Sequence, residues 1–389
     1  MPEKKKRIAV VNPVFYLGGS EAVAVWTIEA LKHDYDVTFI TTEETNWSEI
    51  NEFFGTNIRE TEVRKVTIPT PFIPHLKGFL LKLHLAQRYY KKNKREYDLA
   101  IATRGEMDLG ERGIQYIHIP LWNESALREL HQITDGLLHR STLYRKIYKG
   151  VCSVLSGFNY ENMKKNITLT NSNWTSAKIK EVYGIESKVL YPPVRIVTEK
   201  LPWENRENGF ICIGSISPDK NLQEIIQIVA RIRTIDNSLH LHIIGPIVDR
   251  KYSTLIQSLC AKHADWLRWE ESITRNQLDY FIGRHKFGLH GKLHEHFGIA
   301  VAEMVSGGCI CFVPQGGGQI EIVKDERLIF KDADDAVAKI LSVLNNTALQ
   351  RELRLNLSQA KNIFSHERFM ENIRNEVMSF FHSNYQIVS

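Results

Sequence analysis

The sequence predicts an α/β protein of two doubly wound, Rossmann-like domains, and three observations carry that prediction. Short β-branched runs alternate with amphipathic helical patterns along the whole chain, which is the pattern of parallel strands with crossover helices. The alternation halts after KVLYPPV and LPWENRENG, a proline-rich linker near residue 200, and then restarts. The length, 389 residues, exceeds what one hydrophobic core supports.

In the first half RIAVVNP reads as a buried strand, GGSEAVAVWTIEALKH as a helix and DVTFITT as a strand. PHLKGFLLKLHLAQRYYKKNKRE reads as a long basic amphipathic helix, followed by strands at DLAIAT and IQYIHI. In the second half FICIGS, LHLHIIG, LRWEES, KFGLHG and CICFVP are strands. They are separated by helices at KNLQEIIQIVARIRTI, YSTLIQSLCAKH, ITRNQLDYFIGRH and GIAVAEMVSGG. The expected division is 1–200 for the first domain and 201–365 for the second, with a last helix in 366–389 returning to the first. In such sheets ligands bind at the C-terminal ends of the strands, so a cleft between the domains is the expected site.

Composition narrows the class. A hydrophobic share of 43% with a net charge of +5 describes a globular chain and gives no reason to expect nucleic acid as a partner. Basic residues cluster in KKKR at 4–7 and KKNKR at 91–95, which with the apolar FLLKLHL run makes an anionic membrane surface an expected partner. No run approaches the ~20 apolar residues that span a bilayer. Five cysteines, several inside apolar runs, suit buried reduced thiols and a cytoplasmic setting. Cys309 and Cys311 lack a second ligand pair, and His290, His294 and His296 straddle a strand-to-helix loop without convergent spacing, so no metal site is expected there. Asp332 and Asp334 read as a helix start.

HEHFGIAVAEMVSGG, at 294–308, is the densest chemical signal. Glu295 and Glu303 stand eight positions apart, which on one continuous helix is roughly 12 Å and about 80° of rotation. Carboxylates accept hydrogen bonds only, so each suits a pair of vicinal hydroxyls. Between them Phe297, Gly298 and Ile299 offer backbone N–H groups at a helix N-terminus, a place for phosphate. Gly18 and Gly19, between a strand and a helix, offer a second such place. Taken alone, the two glutamates also fit a capped helix with two surface acids.

This motif resembles the Glu-x7-Glu motif of family 4 retaining glycosyltransferases, whose GT-B fold pairs two Rossmann-like domains. Five further segments resemble that family in order: GGSEAVAVWTIEAL, YIHIP, TNSNWTSAKIKEVYG with VLYPPV, GSISPDKN and GGGQIEIV. HEHFGI, YPPV and YIHIP are nearest in spelling to the dolichol-pathway α-1,2-mannosyltransferase branch and its prokaryotic relatives. The resemblance implies a metal-independent transfer of a hexose from a nucleotide diphosphate sugar to a saccharide or lipid-linked saccharide, with no cofactor beyond that GDP-, UDP- or dTDP-linked donor.

The resemblance also distributes roles. Glu295 orients sugar hydroxyls, Glu303 the ribose hydroxyls, and His118 contacts the sugar or the transition state. Lys220 serves as a point charge for the diphosphate, joined by the backbone at Gly18, Gly19, His296, Phe297, Gly298 and Ile299, and the departing phosphate takes the acceptor proton. Glu321 caps a turn or touches the donor. The chain departs from the family at Ser215, where an arginine is usual; a serine gives one neutral hydrogen bond in place of a bidentate cation. Arg195, Arg104 and Lys292 are the candidate substitutes. The same departure supports two alternatives, a donor-binding protein without turnover and an epimerase acting on the donor. The acceptor is expected to be read by the RGEMDLGERG and LHQITDGLLHR regions.

Overall fold

The computed structural model describes residues 4–15, 18–70, 79–122 and 142–385. The chain forms two compact units. One comprises the described residues up to Pro193 together with those from His366 on, and the other is Val194–Ser365.

The first unit runs β1 (Arg7–Val11), α1 (Gly19–Leu31), β2 (Asp36–Thr41), α2 (Trp47–Phe54), β3 (Val63–Thr67), α3 (Phe79–Asn93), β4 (Leu99–Ala102) and β5 (Ile114–Ile117). It continues with α4 (Thr142–Ser156), α5 (Tyr160–Lys164), β6 (Ile167–Thr170), α6 (Asn173–Tyr183) and β7 (Lys188–Val189). All seven strands are parallel, in the order β3-β2-β1-β4-β5-β6-β7. Strands covered on both faces must be apolar throughout, and Ile8, Val10, Phe39, Ile101 and Ile114 are accordingly buried. β3 escaped the sequence reading because VRKVT, carrying two cations, is an edge strand.

The second unit runs β8 (Glu207–Ile213), α7 (Leu222–Arg233), β9 (His240–Ile244), α8 (Arg250–Lys262), β10 (Leu267–Glu270), α9 (Arg275–Arg284) and β11 (His285–Leu289). α10 (Ile299–Ser306), β12 (Ile310–Pro314), α11 (Ile320–Val323), β13 (Ile329–Phe330), α12 (Ala333–Leu344) and α13 (Thr347–Ser358) follow. Its parallel order is β10-β9-β8-β11-β12-β13. The strand order reverses at β1, between β2 and β4, and at β8, between β9 and β11. These are the switch points where loops diverge and open a crevice at the C-terminal strand ends.

The last helix, α14 (His366–Tyr385), packs on α1. Phe369, Ile373, Val377 and Phe380 join the core of the first unit, His366 stacks on Trp26 at 4.3 Å, and Arg374 donates to the carbonyl of Ala30 at 2.8 Å. Asp332 caps α12 by accepting from the Asp335 amide at 2.9 Å. Cys152, Cys212, Cys309 and Cys311 are buried free thiols. No helix among the described residues is long and apolar enough to cross a membrane.

Candidate functional site

The second switch point brings two loops together, one leaving β8 and one leaving β11. After β8 the chain turns through Gly214, whose Cβ-free backbone lies against the Lys220 stem, and through the short turn Pro218–Lys220. Asn221 then takes a left-handed conformation (φ 49°) and donates to the Gly291 carbonyl at 2.9 Å, tying this loop to the one after β11. Gly291 is required there, since a Cβ would come within 2.5 Å of the Lys220 carbonyl.

Across this tie Lys220 Nζ meets Glu295 Oε2 at 3.0 Å. His290 Nε2 stands 3.4 Å from the same oxygen, and Lys292 Nζ lies 3.9 Å from Oε1. Burial alone would raise the Glu295 carboxyl, but Lys220, His290 and Lys292 override it and hold it well below the usual range. Glu295 is therefore an ionised acceptor. Lys292 also reaches Asp219 at 3.4 Å, Asp219 accepts from Ser217 at 2.6 Å, and the Ser217 hydroxyl lies 3.2 Å from that of Ser215. Ser215 is thus two contacts removed from Asp219 and three from the Lys292 cation.

The backbone of Glu295 rests on the glycine turn after β12. The Gly318 amide donates to its carbonyl at 2.7 Å, and a Cβ on Gly317 (φ 75°) would come within 2.4 Å of that carbonyl. Gln319, fully buried, donates to the carbonyls of Lys292, Pro314 and Gly316 and so fixes the whole loop. Sequence reasoning marked the glycines and passed over Gln319, whose partners lie up to 27 residues away.

Glu295 lies outside the helix. Residues 295–298 are irregular, Gly298 is the N-cap (φ 101°), and α10 begins at Ile299. The spacing expected for one continuous helix therefore does not describe the two glutamates. The N-terminus of α10 has no acid in its first turn and no side-chain cap, and the first intrahelical amide bond is that of Ala302 to the Gly298 carbonyl. Phe297 is buried against Phe364, and His296 is half-buried beside it.

Glu303, one turn into α10, is buried and paired with Arg275 at the start of α9. Burial raises its carboxyl and the pull of Arg275 falls short of cancelling that, the opposite outcome to Glu295. Arg195, paired with Asp279 at 2.8 Å, completes this group. The Thr274–Gln277 capping box announces the start of α9, but nothing in the sequence joins Arg275 to a glutamate 28 positions on.

In the first unit the switch point gathers Gly18, Gly19, Arg104 and His118. The extended Gly18 is the N-cap of α1, but Glu21 in the first turn of that helix is buried and paired with Arg104, which also donates to the Val14 carbonyl at 3.0 Å. A carboxylate of the chain itself, that of Glu21, faces this helix end beside Gly18. His118 lies just past the end of β5, not within the strand. Its Nε2 sits 3.1 Å from the Thr103 carbonyl, which can only accept, so the proton is on Nε2 and Nδ1 keeps its lone pair. Burial and then Arg104 lower its pKa to about 4, so the ring is neutral.

Two expected surfaces are partly built into the interior. Lys91 is tied to buried Asp108 at 2.8 Å and to the Gly157 carbonyl at 2.7 Å, and Leu83 of the FLLKLHL run is buried, while Lys92 and Arg95 are exposed. Glu106, Met107, Asp108 and Leu109 of the RGEMDLGERG segment are likewise fully buried. The LHQITDGLLHR region lies outside the described residues.

Two parallel sheets of this order are those of the GT-B fold. Comparison with solved structures supports that fold. Anabaena Alr3699/HepE in complex with UDP and glucose superposes with a TM-score of 0.69 over 96% of this chain and 100% of that one, at 14% identity. WaaG, a glycosyltransferase involved in lipopolysaccharide biosynthesis, gives 0.67 over 94% and 99%, at 13% identity.

Residues 195–362 match the glycosyl transferases group 1 family model. Among curated relatives, the GDP-Man:Man(3)GlcNAc(2)-PP-Dol alpha-1,2-mannosyltransferase of Candida glabrata is 28% identical over 53% of this chain and 43% of its own length. The human protein of the same name is 22% identical over 52% and 46%. The matched stretches thus span less than half of these relatives.

Proposed function

We propose that this chain is a retaining hexosyltransferase that moves a mannose-type hexose from a nucleotide diphosphate sugar to a saccharide or lipid-linked saccharide, with no metal ion in the transfer step. The observation that carries this reading is the Lys220–Glu295 contact at the second switch point, beside a helix N-terminus free of acids.

In the resting protein Glu295 neutralises Lys220. An arriving diphosphate competes for Lys220 and for the amides at the start of α10, which frees the Glu295 carboxylate to accept from sugar hydroxyls. Of the three substitutes for the missing arginine, Lys292 is the one whose contacts run to Ser215, through Asp219 and Ser217. Arg104 and Arg195 are engaged with Glu21 and Asp279. Glu303 receives the ribose hydroxyls, with Arg275 as the partner they displace.

In the transfer, the bond from the anomeric carbon to the phosphate oxygen breaks and its electron pair leaves with the nucleoside diphosphate. The acceptor oxygen bonds to the same carbon on the face being vacated, and its proton passes to a leaving phosphate oxygen. Neutral His118 offers Nδ1 or its carbonyl to the sugar and carries no charge that would oppose an oxocarbenium-like centre.

The relatives' names point to GDP-mannose as donor and a PP-Dol-linked acceptor, and the HepE complexes point to UDP-glucose. For membrane contact the described surface best suited is α4, where Ile147, Val151, Val154 and Leu155 are exposed at helical spacing with Lys146 alongside. Flotation with anionic vesicles at low salt tests this, and a chain that stays in the soluble fraction refutes it.

Incubation with a panel of nucleotide sugars tests the main reading. Acceptor-dependent release of nucleoside diphosphate supports transfer. Binding without release supports the turnover-free alternative that Ser215 favours, and an epimerised donor supports isomerisation.

A further inference from the structure

The opposite end of the second sheet carries a cluster that donor chemistry does not use. Glu207, His240 and His285 are the first residues of β8, β9 and β11, three adjacent parallel strands. Register sets Glu207 beside His285, Gly209 beside His240 and Ile211 beside His242. Residues two apart on a strand share a face, so all four side chains leave the sheet on one side. Gly209 makes room: a Cβ there would come within 2.3 Å of the His240 ring, which instead folds across β8 toward His285.

The distances suit one ion. His240 Nε2 lies 3.2 Å from His285 Nε2 and 3.2 Å from Glu207 Oε2, and His285 Nε2 lies 3.8 Å from that oxygen. Tetrahedral zinc with bonds of about 2.0–2.1 Å separates its ligand atoms by roughly 3.3 Å. One ligand atom from each of Glu207, His240, His242 and His285 falls within 4.8 Å of the others.

The surrounding contacts orient these atoms as a metal site requires. His285 Nδ1 lies 2.7 Å from the Phe281 carbonyl, which can only accept, so Nδ1 carries the proton and the lone pair of Nε2 faces the cluster. Arg284 holds the other carboxylate oxygen of Glu207 at 3.0 Å, leaving Oε2 toward the rings. His242 Nδ1 is buried without a hydrogen-bond partner among the described residues.

We propose that Glu207, His240, His242 and His285 form a tetrahedral structural site for a divalent transition metal of the zinc class, which clasps the leading ends of three strands. The site stands about 16–23 Å, the lengths of the five-residue β11 and seven-residue β8, from the loops that carry Glu295 and Lys220, so metal here stabilises the second unit without entering the transfer step.

The test uses the full chain, stripped with chelator and titrated with Zn²⁺ by calorimetry and by elemental analysis after dialysis. The expected result is one zinc per chain with a Kd of about 1 μM or tighter and a matching rise in Tm. Co²⁺ should give the intense visible absorption of tetrahedral coordination. His240→Gln and Glu207→Gln, at the half-exposed rim where loss of folding is least expected, should each weaken zinc binding by ~10- to 100-fold while circular dichroism stays that of the parent. His294→Ala should bind zinc like the parent. Absence of stoichiometric zinc overturns the proposal, as does unchanged binding in His240→Gln or lost binding in His294→Ala.

Discussion

The helices α1 and α10 follow glycines at the switch points of their respective sheets, and neither has a side-chain cap, yet they are finished differently. α1 carries Glu21 in its first turn, buried and paired with Arg104. α10 carries no acid in its first turn, and the glutamate before it is drawn aside by Lys220. A helix end that already faces a carboxylate of its own chain is settled. One that lacks an acid and stands beside lysines offers an anion a favourable field. Glycine before a helix therefore distinguishes the two less well than the charge of the residues that follow it.

The largest effect should come from Lys220→Ala, which removes the cation at the anion-ready end. With GDP-mannose or UDP-glucose as donor, kcat should fall by ~100- to 1000-fold, as for loss of one stabilising donor to a leaving oxyanion, read as nucleoside diphosphate released. Glu21→Gln should act on stability instead. It breaks a buried ion pair and leaves Arg104 uncompensated, at about 3 kcal/mol in chemical denaturation, while donor affinity stays within about twofold.

A further effect should appear in the pH dependence of the first unit. Burial, assisted by Arg104 at His118 and by Lys149 at His84, lowers both rings to about 4. The unfolded chain, whose imidazoles titrate near 6.5, then binds more protons than the folded one below that pH. The contribution of these rings is full above pH 6.5 and is lost progressively as pH falls toward 4, so Tm should decline across that window. Activity between pH 6 and 8 should show no inflection from His118. Least in size, Gly298→Ala should cost about 1–2 kcal/mol of donor binding, because φ is 101° there and the new Cβ would press on Gln319 at 3.3 Å.

The fold was largely legible because parallel strands buried on both faces write themselves as apolar runs, as IAVV and CICFV do, and because YPPV interrupts the alternation. β3 was not, since an edge strand such as VRKVT needs no apolar face. In the site, Glu295, Lys220 and Gly298 were legible from local spacing and from resemblance. The Lys220–Glu295 contact was not, because it depends on two loops meeting across neighbouring strands 75 residues apart in sequence. Arg275, Gln319 and the Glu207–His240–His242–His285 cluster were hidden for the same reason. Their partners are set by sheet register, which leaves no trace in spacing along the chain. Glu21 was read only as a helix residue, so the difference between the two helix ends emerged from the structure alone.

Calorimetric titration of GDP and UDP into the parent chain, Lys220→Ala and Glu21→Gln tests the central claim most directly. If the second unit binds the diphosphate at α10, at least one of the two nucleotides binds the parent, Glu21→Gln retains that affinity, and Lys220→Ala weakens it by ~30-fold or more. Unchanged binding in Lys220→Ala, or binding lost in a folded Glu21→Gln, would place the diphosphate elsewhere and contradict the account.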